Sequence, residues 1–300
     1  MPENAPIILF CYNRPEHTQR TVEALLKNKM AKDSELFIFC DGPKLQNDER
    51  VKTVRQYLKT IKGFKSINIF EGKTNKGLSK SVIDGVSKIL LKYDKVIVLE
   101  DDLLSAPSFL ENMNLMLEFY QNKSEIFSVS GYVPPVNKKK YPDDTFVYPR
   151  TCSWGWGTWR ERWNSVDWEI ADFNSFITNK KRRKKFNLGG IDMTPMLLKQ
   201  MIGEIDSWAI RFSYSCFIQG KVSVYPILSQ VQSIGTDGSG THIRRSNKYG
   251  NNITTKILLL TEKLNHNEEI NKNMRRFYAN SVYQQFINYV KRILYIRSIR

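Results

Sequence analysis

Residues 95–109 read KVIVLEDDLLSAPSF, and the fold turns on how this stretch is read. Val96, Ile97, Val98 and Leu99 form a short, mostly β-branched run of the kind that makes a strand covered on both faces. Glu100, Asp101 and Asp102 follow at once, where that strand ends. Three adjacent acids repel one another, and burial raises the cost of ionising each, so the cluster needs a cation or hydrogen-bond donors to compensate it. After Pro107, the spacing of Phe109, Met113, Met116 or Leu117 and Tyr120 predicts a helix. In open α/β sheets ligands gather beyond the carboxyl ends of strands, which makes the acid cluster a predicted site.

Upstream, the same unit repeats. APIILFCYN, ELFIFCDG and SINIFEG read as strands, and each is followed by a helical pattern, beginning at Pro15, Asp48 and Leu78. Asn13 suits the cap of the first of these helices, with Pro15 in its first turn. Such alternation predicts right-handed crossovers and an α/β fold with a mainly parallel sheet. After Phe127 the pattern changes: IFSVSGYV and TFVYPR are separated by a basic, turn-rich segment, and tryptophans cluster from Trp154. Residues 235–252, GTDGSGTHIRRSNKYGNN, are too glycine-rich and polar for regular structure and read as a mobile loop.

With 300 residues, 41% of them apolar, the chain can bury a full core. No basic segment followed by an apolar run stands at its start, and no apolar run is long enough to span a bilayer, so the expected location is cytoplasmic. Cys11, Cys40, Cys152 and Cys216 are widely spaced in apolar surroundings, which predicts free buried thiols. The net charge of +16 points to an anionic partner. It is concentrated in KKRRKK at 180–185 and in a tail from Lys272 that has seven Lys or Arg and no acid.

Together these motifs resemble the nucleotide-sugar glycosyltransferases of the GT-A fold, above all the inverting family 2, and VLEDDLLSAPSF is similar to the acidic motif of N-acetylglucosaminyltransferase I. The resemblance covers roughly residues 5–245 and implies a mixed, mainly parallel sheet flanked by helices. Its two halves are 1–105 for the nucleotide-sugar and 106–271 for the acceptor and catalysis, followed by a helical tail at 272–300. It implies that Tyr12, Asn13 and Arg14 contact the nucleotide, with Arg14 suited to a phosphate. Asp41 of CDGP would contact uracil or ribose, and Lys76, Gly77 and Ser81 of KTNKGLSKSV would lie near the donor. Asp102 would ligate Mn²⁺ or Mg²⁺, Glu100 and Asp101 would contact ribose or donor sugar, and His242 would be a second metal ligand or a phosphate contact. The donor implied is a nucleotide-sugar, UDP-linked.

On the acceptor side, TCSWGWGTWRERW resembles the glycine- and tryptophan-rich region of these enzymes, which makes Trp154, Gly155 and Trp156 acceptor-binding residues, joined by Trp208. Aromatic faces stack on sugar rings, although large aromatics serve equally as core. Asp206 or Glu204, at the start of a helix containing Trp208, Phe212 and Ser215 on one face, resembles the family's general base, with Asp206 preferred. Attack opposite the leaving diphosphate would give inversion by single displacement through an oxocarbenium-like state.

Two other readings use the same features. A sugar nucleotidyltransferase also combines a nucleotide-binding half with acidic metal ligands, but ILFCYNRPEHT stands where its Gly-rich, Arg- and Lys-bearing phosphate signature would be. A basic nucleic-acid-binding protein would explain the charge, yet no nucleic-acid motif accompanies it, and none is expected as a partner. In the tail, Met274, Tyr278, Val282, Phe286, Val290 and Ile293 recur at three or four residues among basic side chains. That pattern suits an amphipathic helix lying on the anionic inner face of the cell membrane, near a glycan or lipid-linked acceptor of the sort used by the bacterial surface-glycan transferases the chain resembles; it also suits a helix packed on the catalytic domain.

Overall fold

The computed structural model describes residues 4–45, 47–138, 141–238, 247–263 and 267–299. The first four strands are β1 (Ile7–Cys11), β2 (Glu35–Cys40), β3 (Ser66–Glu71) and β4 (Lys95–Glu100), interleaved with α1 (Pro15–Leu26), α2 (Glu49–Leu58) and α3 (Leu78–Leu90). These are the elements that the apolar runs and turn residues predict. Their apolar residues alternate between the two faces of the sheet. Ile7, Leu9, Ile97 and Leu99 enter the core under α1 and α2, whereas Ile8, Phe10, Val96 and Val98 enter the core under α3. One detail differs from the expectation: the residue capping α1 is Arg14, not Asn13, and it makes no side-chain cap hydrogen bond, while Pro15 holds the first helical position.

Past β4 the chain adds the short β5 (Leu103–Ser105), α4 (Phe109–Phe119), β6 (Ile126–Ser130), β7 (Thr145–Tyr148), β8 (Trp156–Trp159) and α5 (Arg160–Asn164). It continues through α6 (Phe173–Thr178), α7 (Lys180–Phe186), α8 (Met193–Met201), α9 (Trp208–Ile218), β9 (Val222–Pro226) and β10 (Val231–Ser233), and ends in α10 (Glu268–Phe277) and α11 (Val282–Ser298). The main sheet runs β3-β2-β1-β4-β8-β6-β9-β7. β8 lies antiparallel to both β4 and β6, and β7 is antiparallel to β9, so the sheet is mixed and mainly parallel. β10 pairs with β5 beside it, setting Ser233 opposite Leu103 just beyond the acid cluster.

The tryptophan segment is where the structure departs most from the sequence reading. Trp156 lies in a fully covered strand and is 1% exposed; it stacks on Trp208 at 4.9 Å and on Trp163 at 5.7 Å. Trp208 is 3% exposed. Both indoles belong to the core beneath α3, α5 and α9, so neither offers a face to an acceptor. Gly155 is fixed by the backbone: its φ is +57°, and a Cβ there would lie 2.9 Å from Val231 Cγ1. The expected acceptor platform is thereby reduced to Trp154, which is partly buried edge-on against Tyr132 and Tyr249.

The tail is two helices rather than one. Ile270 and Met274 of α10 are buried with Phe146, Tyr148 and Tyr225, and Tyr278 lies under the Arg150 guanidinium at 3.8 Å. α11 turns away at Ser281, whose side chain caps it through Gln284 N–H. Its far end packs Tyr295, Ile296 and Ile299 against the cluster formed by α6, α7, α8 and α9. Replacing Trp156 by alanine should lower the unfolding free energy by about 3–5 kcal/mol in urea titration. Leu188→Ala, on the surface, should stay within about 0.5 kcal/mol of the parent. Equal losses would contradict the placement of Trp156.

Candidate functional site

The register of the parallel strands decides which side chains meet. Cys11 at the end of β1 lies opposite Cys40 at the end of β2, and Phe10 opposite Glu100 at the end of β4. The segments Tyr12–Arg14, Asp41–Gly42 and Glu100–Asp102 therefore leave the sheet from one edge. Because α1 starts at Pro15, Arg14 is held at the point where the chain turns, and its guanidinium reaches across to the acids.

Arg14 Nη2 bonds Asp101 Oδ1, and Nη1 donates to Asp102 Oδ2 at 3.2 Å. Asp101 is buried, its Oδ2 accepting Tyr12 N–H at 3.3 Å and its carbonyl accepting the Thr21 hydroxyl at 2.8 Å. One guanidinium binds two of the three carboxyls and acts on Glu100 only through space. Burial pushes Asp101 up to about 6 against the opposing pull of Arg14, and burial, with Asp102 and Asp101 adding repulsion, pushes Glu100 up to about 8. The Asp102 carbonyl accepts Ile234 N–H at 2.8 Å, which draws the turn after β10 against the acids. Gly235 gives the Asp102 side chain its room, because a Cβ there would fall 1.9 Å from Asp102 Oδ2 and force that carboxylate to shift. His17 Nε2, 3.1 Å from Asp237 Oδ2, brings α1 to the same turn.

Asp41 is engaged differently from a free ribose contact. Its carboxylate accepts the backbone N–H groups of Gly42 at 2.8 Å, Lys76 at 2.9 Å and Gly77 at 3.0 Å. Asn75 Nδ2 adds a bond to the Gly42 carbonyl. Asp41 thus organises the loop that carries Lys76 and Gly77 into α3. Lys76 itself is exposed and paired with Asp84 at 3.3 Å, Ser81 is partly buried one turn into α3, and the Tyr12 hydroxyl accepts Lys44 N–H at 3.3 Å. Asn13 is partly buried beside them.

Of the two expected bases, Asp206 is exposed just ahead of α9, which is capped by Ser207. Arg211 joins it at 3.2 Å and also donates to Ser79 Oγ at 2.5 Å, in the first turn of α3 beside Gly77. Glu204 is instead paired with Lys291 of α11. Arg211 and Ser79 were missed by the sequence reading, though Arg211 is the single charge inside the otherwise uncharged WAIRFSYSCFI and so had a signal. His242 lies outside the described residues.

The family model described as glycosyl transferase family 2 matches residues 7–190, more than half of the chain. No curated protein sequence matches it. Similar solved structures include Staphylococcus aureus TarS 1-349, at 11% identity and a TM-score of 0.45, with 77% of this chain and 60% of that one covered. Another is the mannosyltransferase PcManGT from Pyrobaculum calidifontis in complex with GDP-Man and Mn²⁺, at 13% identity and a TM-score of 0.44, covering 73% of this chain and 70% of that one. The chain thus spans less than two thirds of the TarS 1-349 chain.

The acid cluster has a consequence for stability. Glu100 keeps its proton in the folded chain up to about 8 but gives it up near 4.5 when unfolded, so unfolding releases a proton between those values. With chelator present, folded stability should fall as pH rises through that window, and Glu100→Gln should flatten the slope. Thermal melts across the window read this, and an unchanged slope in the variant would contradict it. Gly235→Ala should cost about 1–3 kcal/mol in denaturant unfolding, because Asp102 has to move.

Proposed function

The chain belongs to glycosyl transferase family 2, and we propose that it is an inverting, metal-dependent enzyme moving a hexosyl or N-acetylhexosaminyl group from a UDP-linked donor to a hydroxyl of a glycan or lipid-linked glycan. The observation that carries this reading is the meeting of Arg14, Asp101 and Asp102 at the carboxyl ends of β1 and β4. A single cation shared by several carboxyls, two of them with raised pKa values, fits a site that receives more positive charge in use.

The residues present fit a hard divalent ion, Mn²⁺ or Mg²⁺. Asp102 offers a carboxylate that is 16% exposed, the right donor type for such an ion. Among the described residues no three His, Cys, Asp or Glu side chains form a group that could hold a metal ion, so water and phosphate oxygens would have to supply the other ligands. Bound there, the ion would supply charge stabilisation for the departing diphosphate. Arg14 would turn from Asp102 to a phosphate oxygen, a geometry that a guanidinium matches well. Tyr12, Asn13 and the Asn75–Gly77 loop would hold the nucleotide, the loop being set by Asp41. Glu100 and Asp101 would face ribose or donor sugar.

Asp206 is the base we assign. It would take the proton from the acceptor hydroxyl as that oxygen attacks the anomeric carbon, on the face away from the diphosphate. Arg211 orients it relative to the donor loop through Ser79. Glu204 is committed to Lys291 and serves the tail. Trp154 is the aromatic left to meet an acceptor sugar. Peripheral attachment to an anionic leaflet is supported by α11, which exposes Val282, Phe286 and Leu294, while no described helix is long and apolar enough to cross a membrane.

A panel of nucleotide-sugars, read by release of nucleoside diphosphate, tests this. Turnover should require Mn²⁺ or Mg²⁺ and should fall by about a hundredfold or more in Asp102→Asn. Asp206→Asn should keep donor binding in calorimetry and lose transfer, because a base acts in the transition state rather than on ground-state binding. Full transfer by Asp206→Asn together with loss in Glu204→Gln would move the base; full turnover in chelator would refute the metal.

A further inference from the structure

α11 carries two features on neighbouring sides that the transfer chemistry does not use. The first is a cleft of about 310 Å³ between α8 and α11, with Asn187, Thr194, Asn288, Tyr289 and Arg292 in its lining. Arg292 lies against the Tyr289 ring at 5.2 Å, and its buried Nε has no hydrogen-bond partner. Arg183 of α7 bonds the Ile177 carbonyl, and its hold on a proton is lowered by burial and then by the charge of Arg292, so the two guanidiniums feel one another. Among the described residues no acid pairs with either. Partly buried like charges of this sort are costly, and a bound anion relieves them.

The second feature is apolar. Val282, Phe286 and Leu294 are 84%, 64% and 58% exposed, and with Val290 they recur every four residues along one side of the helix. Tyr289 joins the two features, since it lines the cleft and is half exposed on the stripe. α7 adds the exposed Lys180, Lys181, Lys184 and Lys185 nearby. An anionic head continuous with an apolar body is the chemistry of a charged lipid, and the charge of this surface is complementary to it.

We propose that α7 and α11 seat the protein on an anionic leaflet, with the phosphoryl head of one lipid drawn into the α8–α11 cleft at Arg292, beside Arg183. This rests on the reading of peripheral attachment and not on the transfer reaction. The apolar stripe enters the acyl boundary, and the cleft gives a defined seat to one head group where a merely basic surface would attract many equally.

Co-sedimentation of the full chain with phosphatidylcholine vesicles, with and without phosphatidylglycerol, tests it. The parent should bind only the anionic vesicles. Arg183→Gln with Arg292→Gln should weaken binding roughly tenfold or more, and Lys184→Gln with Lys185→Gln, which removes the same formal charge from the exposed side of α7, should weaken it less. Phe286→Ser with Val290→Ser should also release the protein. All variants are checked for parental thermal unfolding and diphosphate release. Equal weakening by the two charge pairs would overturn the cleft seat while leaving attachment standing. Inorganic phosphate that binds the parent in calorimetry, is lost in Arg183→Gln with Arg292→Gln, and at saturation and constant ionic strength leaves sedimentation unchanged would make the cleft a free-anion site and overturn the lipid. No sedimentation of an actively transferring parent would overturn both the seat and the attachment, with the transferase reading intact.

Discussion

The guanidinium of Arg14, lying between Asp101 and Asp102, is the contact on which the rest of the site depends. Without it, the end of β4 would hold three carboxyls in a largely covered place, a net cost to the fold. With it, the charge is only partly balanced, and burial, with the neighbouring carboxyls adding repulsion, still holds Glu100 and Asp101 above the ordinary carboxylate range. The surroundings are built to keep this arrangement. Thr21 of α1 ties down the Asp101 carbonyl, Tyr12 N–H its side chain, and the turn after β10 closes on Asp102 without displacing its carboxylate because residue 235 has no side chain.

This edge of the sheet was legible in the sequence for a physical reason. A short, mostly β-branched apolar run such as Val96–Leu99 suits a strand covered on both faces, and acids directly after it fall at that strand's end. What the sequence concealed was residue use that depends on partners far along the chain. Trp156 and Trp208 have the same chemistry whether they stack on a sugar or on each other, and the strand β8 that inserts between β4 and β6 is too short to leave a periodic signal. Asp41, expected to contact uracil or ribose, also has the Lys76 and Gly77 amides on its oxygens, a use that only the fold reveals. The tail kept a helical period through Ala279 and Asn280, so the turn between α10 and α11 and the division of its apolar residues into a buried set and an exposed set came only from packing.

The division of labour along the chain follows from these constraints. The first four strands fix a charged edge; α3 and α9, joined by Ser79 and Arg211, bring an acid of the second half to the loop that leaves that edge. α10 closes the far side of the sheet through Met274 and Tyr278, which frees α11 to present a surface of its own. Family 2 membership supports the proposed reaction class, and the residues gathered at the edge are those to which the proposal assigns roles.

The central claim is that the end of β4 receives a divalent cation together with the donor diphosphate. Electron paramagnetic resonance of Mn²⁺ titrated into the full chain measures this directly, since the free-ion signal disappears as the ion is bound. The expected result is a strong loss of free Mn²⁺ signal when UDP and protein are both present, beyond the loss with UDP alone, with no such extra loss in Asp102→Asn. A free-ion signal unaffected by the protein, or binding by Asp102→Asn equal to that of the parent, would contradict it.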